Sequence, residues 1–193
     1  LAIYREHPEL ATKVVARALQ RIRNPMDAYG PNGTYAEGPG YWGYGTTYNV
    51  LFIDALQTAL QEDFHLKAHK SFISSCRYYL HSHSPTARSF NYSDCGTKSE
   101  PEPAMYWFAS TLDEPNLLWM EKRKLATFLR KSSNAANKGD RLFPFVLLWA
   151  ENIGNIMRPE RLHWKGQGAT PVGIHRSAWQ EDGIYVGLKG GSP

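Results

Sequence analysis

Five residues with usable chemistry, Tyr35, Glu37, Tyr41, Trp42 and Tyr44, crowd into one short region built around Glu37-Gly38-Pro39-Gly40-Tyr41-Trp42-Gly43-Tyr44-Gly45. A tyrosine does acid–base work either as a proton donor or, once its ordinary pKa of about 10 is lowered by cations or hydrogen-bond donors, as a base. Abstraction of a proton beside a carboxylate, as in β-elimination at a uronic acid, suits such a group. The phenol is uncharged at rest and does not repel the anionic sugar, and the carboxylate must be neutralised or hydrogen-bonded as negative charge develops. Glu37 has two readings: a residue that bonds loop amides and holds Tyr41 in place, or a direct substrate ligand. The first is favoured, because a second carboxylate beside an anionic sugar is a poor ligand. Trp42 is either a flat platform for a sugar ring or a packing residue against a neighbouring helix. A glycosidase would instead need two carboxyl groups across one bond, for which Glu37 and Asp94 are the pair to consider.

A second polar segment, Phe90-Asn91-Tyr92-Ser93-Asp94-Cys95, supplies Asn91 and Asp94, which either fix turns or line a cleft. The histidines, including His81 and His83, show no compact spacing with cysteine or carboxylate partners, so no metal ligand is assigned. No serine sits in a nucleophile-elbow context, and Gly38-Pro39-Gly40 lacks the Lys-Ser/Thr of a phosphate loop. Cys76 and Cys95 permit one disulfide without requiring it. His175 and Arg176 end an extended segment and face either a cleft or the edge of the core.

The elements that must position these groups are mostly helical. Residues 1–7 read as the end of a helix. Residues 8–22 form the next, with Pro8 in its first turn and Leu10, Val14, Val15, Ala18, Leu19 and Ile22 at helical spacing. Residues 24–44 read as a long loop, because Asn32-Gly33 signals a turn and five glycines and prolines follow. Thr46 or Thr47 then caps a helix carrying Val50, Leu51, Ile53, Leu56 and Leu60. Further helices are expected over 69–81, 103–110 and 116–130, then a small-residue loop over 132–140 and a short, deeply buried apolar segment over 143–150. Beyond Arg158 the pattern changes to alternation: residues 171–175 and 184–188 predict a hairpin that must rest on the helices or on further sequence. Periodicity alone does not separate a bundle, a helical repeat and an α/α toroid.

Composition fits a folded domain, with 42% apolar and 21% charged residues, six Trp, eleven Tyr and eight Phe. The net charge of +4 is spread along the chain. There is no basic block or nucleic-acid motif, and no apolar run long enough to span a membrane, so neither class of partner is expected. A mild positive surplus is compatible with an anionic substrate and equally with a solvated surface. The chain opens in what reads as mid-helix and stops after a strand, so it is expected to be an internal piece of a longer protein.

The stretch from Tyr29 through Glu37 to Gly45 resembles the heparinase II/III-like polysaccharide lyases, in particular their Bacteroidetes-type branch. Phe90-Asn91-Tyr92-Ser93-Asp94 resembles a later loop of the same family. Arg176-Ser177-Ala178-Trp179 and Tyr185-Val186-Gly187-Leu188-Lys189-Gly190-Gly191 resemble the opening strands of its sheet domain. The resemblance implies a mainly α chain, an incomplete α/α toroid over residues 1–160 followed by the first strands of an antiparallel β-sandwich domain over 161–193. It further implies cleavage of an acidic, uronic-acid-containing glycan such as heparin or heparan sulfate by β-elimination. Tyr41 matches the family's catalytic tyrosine, and Glu37, Trp42, Tyr44 and Asn91 would contact substrate or shape its cleft. The family's other catalytic groups, an Asn or His before this segment and a His after it, are not in the sequence. This piece alone is therefore expected to be inactive. No cofactor is implied within it; the zinc that some relatives carry would lie in the later part of the sheet domain. The parent protein would be secreted or periplasmic. The competing readings are a non-catalytic glycan-binding or structural helical domain on the same scaffold, and a glycoside hydrolase.

Overall fold

A computed structural model describes residues 2–132, 141–151 and 153–191. Six helices come first: α1 (Pro8–Asp27), α2 (Gly38–Leu60), α3 (Lys70–His81), α4 (Pro103–Leu112), α5 (Trp119–Ser132) and α6 (Phe145–Trp149). An antiparallel sheet of three strands follows, in the order β1 (His163–Gly166), β2 (Val172–Arg176), β3 (Tyr185–Lys189). No described helix is long and apolar enough to cross a membrane.

The largest departure from expectation is at α2. The loop predicted over 24–44 shrinks to residues 28–37, because α1 continues to Asp27 and α2 begins at Gly38, so the glycine-rich stretch is the first two turns of a 23-residue helix. Each helical glycine costs about 1 kcal/mol relative to alanine, and packing outweighs that cost here. Gly38 takes a left-handed φ of 82°, and a Cβ on it would lie 2.7 Å from the Tyr92 carbonyl oxygen. Pro39 occupies the first turn, where its missing N–H loses nothing. Trp42 is wholly buried and stacks on Tyr79 at 4.3 Å between ring centroids. Thr46, Asn49, Val50, Ile53 and Leu56 continue the same inward side.

Other elements follow the sequence more closely. α3 starts where His69 Nδ1 accepts a hydrogen bond from the Phe72 amide and ends one residue before Ser82, as its apolar spacing predicts. α5 begins later than expected, at Trp119, because Pro115–Leu118 form a tighter 3₁₀ turn. Residues 2–6 are turns rather than the end of a helix. The segment expected to be deeply buried over 143–150 holds only the short α6, which turns Val146 and Trp149 inward and leaves Leu147 76% and Leu148 66% exposed. A single turn lying on α4 has just one side to bury. Most of the loop expected over 132–140 lies outside the described residues.

The two predicted strands are present, and β1 is an additional partner. The register pairs Trp164 with Ile174 and His175 with Val186. The sheet rests on α3: Trp164 packs 5.6 Å from Tyr78, ring centre to ring centre, and Val172, Ile174 and Trp179 join the core that holds Trp42 and Phe108. Arg176 anchors the joint. Fully buried, it donates through Nη2 to the carbonyls of His81 and His83 at 2.9 and 3.0 Å, and its guanidinium lies 3.6 Å from the Trp179 ring centre. Those carbonyls belong to the end of α3 and the residues just beyond it, where helix carbonyls lack partners and attract cations. Burial lowers the Arg176 pKa to about 10, so the side chain stays cationic near neutrality.

Candidate functional site

The fixed inward side of α2 determines what its outward side presents. With Trp42 and Thr46 locked in the core, Tyr41, Tyr44 and Tyr48 fall at i, i+3 and i+7 and form one stripe facing solvent. Tyr41 is 44% exposed and Tyr44 62% exposed. Tyr44 and Tyr48 meet edge to face at 5.2 Å, and Arg141 donates a hydrogen bond to the Tyr48 hydroxyl. Tyr41 therefore sits on a rigid helical turn, near the positive end of the helix dipole, with its phenol directed away from the core.

Glu37 occupies the position before the helix, but its side chain makes no capping bond to the helix amides. Its carboxylate interacts instead with Tyr35, whose pKa is raised by burial and then by the charge and hydrogen bond of Glu37. Glu37 therefore does not cap the helix amides, and its partner is the Tyr35 side chain. Of the two readings for Trp42, the structure has the packing residue. An indole with no exposed surface in this chain stacks on Tyr79 and Phe108 and fixes the inward side of the turn that carries Tyr41.

The loop holding Asn91 is brought against the start of α2. The Tyr92 hydroxyl donates to the Tyr35 carbonyl at 2.5 Å and meets the Tyr78 hydroxyl at 2.5 Å. Gly38 approaches Tyr92 and Cys95 so closely that only glycine fits, and the Gly40 amide bonds the Cys95 sulfur. Asn91 itself is exposed on this loop. Cys76 and Cys95 are both free thiols; burial pushes Cys76 up to about 12. His175 points to solvent, whereas its neighbour Arg176 is the buried anchor described above.

Beneath α2 lies a polar cluster that the sequence reading did not single out. Thr47 Oγ1 donates to Glu102 Oε1 at 2.5 Å, and the Glu102 amide donates to Glu121 Oε2 at 2.7 Å. Lys124 pairs with Glu121 Oε1 at 2.7 Å and donates to the Tyr79 hydroxyl at 3.2 Å, both ionic side chains being about 1% exposed. Burial, with the charge of Glu121 adding to it, raises Glu102 to about 7 against opposing bonds from Thr47. Burial also raises the Tyr79 hydroxyl well above its usual value and holds His83 well below its own. His81 falls to about 3, through burial and then the charge of Arg176. Glu102 and Thr47 are 55 residues apart, so no local pattern marks the pair. Among the described residues no group of three or more His, Cys, Asp or Glu side chains gathers closely enough to hold a metal ion.

Set against known proteins, the chain matches no family model and no curated protein.

Proposed function

We propose that this chain is the helical part of a polysaccharide lyase that cleaves an acidic, uronic-acid-containing glycan by β-elimination, with Tyr41 as the proton-transferring residue. The observation that carries the reading is the placement of Tyr41: an accessible phenol on the outward side of a helical turn whose inward side is locked by Trp42. The resemblance of the surrounding stretch to heparinase II/III-like lyases supports it. So does Arg141, which brings a guanidinium to the tyrosine stripe.

In this reading Tyr41 acts as the base and takes the proton from the carbon beside the sugar carboxylate. The C–H electron pair forms the C4–C5 double bond, the C4–O bond breaks, and Tyr41 returns the proton to the departing oxygen. Tyr44 is the substitute candidate, Glu37 and Asn91 sit at the rim, and Trp42 acts only through the position it gives Tyr41. The six helices represent a segment of an α/α toroid and the three strands the opening of a sandwich, in a protein that meets its polymer outside the cytoplasm.

The test is to incubate the protein containing this chain with a panel of uronate polysaccharides and record the ultraviolet absorbance of unsaturated uronate. A rising signal on at least one polymer is expected. Saturated reducing ends without that absorbance would transfer the protein to the hydrolases, and no cleavage of any polymer would remove the lyase reading.

A further inference from the structure

The outward face of the sheet carries two histidines on neighbouring strands. The register sets His163 of β1 directly opposite His175 of β2, and both are exposed. The other face is taken up by Trp164, Val172, Ile174 and Arg176, which meet the core. Side chains alternate along a strand, so the core that fixes those four fixes the histidines on the solvent side.

Hydrogen bonding decides how close the two come. The Arg176 amide donates to the Leu162 carbonyl at 2.8 Å, which makes residues 162 and 176 a hydrogen-bonded pair. Pair types alternate along an antiparallel ladder, so His163 and His175 form the next, non-hydrogen-bonded pair, in which facing side chains stand closest. Cβ atoms at such a position are about 5 Å apart, and rotation about χ1 and χ2 brings a nitrogen of each ring to about 2 Å from one shared ion. The strands beneath are held. Arg176 is tied to the end of α3 through the His81 and His83 carbonyls, and Trp164 packs on Tyr78. The space beside the pair is open, because Gly173 is the next outward residue of β2 and a Cβ there would meet no heavy atom within 4 Å. Lys165, the next outward residue of β1, has a long stem that carries its charge away from a bound cation.

We propose that His163 and His175 form a bidentate site for a late first-row divalent transition ion, Cu(II) ahead of Ni(II) and Zn(II). Imidazole suits these ions, and affinity at a nitrogen site is highest for Cu(II), whereas Mg(II) takes oxygen ligands. Two protein ligands leave the remaining coordination positions to water on the open side over Gly173, so the site is a surface chelate rather than an enclosed cage. The lyase resemblance gives neither histidine a role, and the site stands whether or not Tyr41 performs chemistry.

The experiment is calorimetric titration of the protein with CuCl2 and, separately, MgCl2. It compares the wild type with His163→Gln, His175→Gln, the double variant and His7→Gln, which removes an exposed histidine at the start of α1. The three sheet variants change exposed side chains only, so unchanged melting temperatures are expected. Cu(II) should bind each single variant at least about 10-fold more weakly than the wild type, and the double variant about as weakly as the single ones, because the second ligand acts by chelation. Electron paramagnetic resonance of the wild-type complex should show two equatorial nitrogens, and either single variant fewer. Equal Cu(II) binding to wild type and single variants, or a loss in only one of them, overturns the proposal. A loss of the same size in His7→Gln, or Mg(II) binding as tightly as Cu(II), overturns it in favour of non-specific cation binding. Elimination activity enters none of these outcomes, so the fate of the lyase reading is decided separately.

Discussion

Glu102→Gln should change how the stability of the fold depends on pH, by an amount that follows from the geometry. In the unfolded chain Glu102 ionises through its ordinary value of 4.5; in the folded protein burial beneath α2 and the charge of Glu121 hold it protonated up to about 7. The group is neutral in both states below the lower value, so the fold bears no cost there. Between the two values unfolding releases a proton, and stability falls as pH rises by about 1.4 kcal/mol per unit, or about 3 kcal/mol in all. The two buried histidines work in the opposite sense. His81 is depressed to about 3 and His83 well below its ordinary 6.5, so their contribution is complete above 6.5 and is lost as pH falls. Glutamine keeps an oxygen to accept from Thr47 but does not titrate. The assay is urea unfolding of wild type and variant from about pH 4 to about pH 8.5, with the difference curve as the readout, because the histidine contributions cancel in it. The difference should move by about 3 kcal/mol in the variant's favour between the acid and alkaline plateaus. Two parallel curves would refute the assignment of a raised Glu102.

Gly43→Ala should destabilise by about 1–3 kcal/mol, because the added methyl runs into the Glu102 carboxylate. In a Glu102→Ala background the same change should become neutral or favourable, as alanine is the better helix former; thermal melts of the four proteins show whether the sign reverses. Arg176→Met should cost about 2–3 kcal/mol by removing the two charge-assisted bonds to the end of α3. Loosening of the sheet should expose the buried Trp179, and an unshifted tryptophan emission together with an unchanged melting temperature would contradict that anchoring role.

How much of this was legible in the sequence depends on whether the deciding contacts were local. α3 could be read from its apolar spacing and from the Ser84-Pro85 that follows it, and α4 from Pro103 and the apolar run behind it. β2 and β3 showed their alternation. β1 did not, since His163-Trp164-Lys165-Gly166 carries no β-branched residue and becomes a strand through its pairing with β2. The start of α2 was misread because its glycines are loop-like in isolation. What makes them helical is the stacking of Trp42 on Tyr79 and the close approach of Tyr92 and Glu102, all distant in sequence. Tyr41 and Tyr44 were identifiable as residue types, whereas their alignment with Tyr48 needed the helix to be known. The Thr47–Glu102–Glu121–Lys124 cluster left no local trace.

The central claim rests on Tyr41, and its most direct test is the elimination rate of Tyr41→Phe in the full-length protein on whichever uronate polymer the wild type cleaves. Phenylalanine keeps the ring on its supporting turn and removes only the hydroxyl, so an unchanged melting temperature is expected. The turnover rate should fall by about 100-fold or more with little change in KM, as for the loss of a group acting in proton transfer. A variant that forms unsaturated product at the wild-type rate would contradict the account.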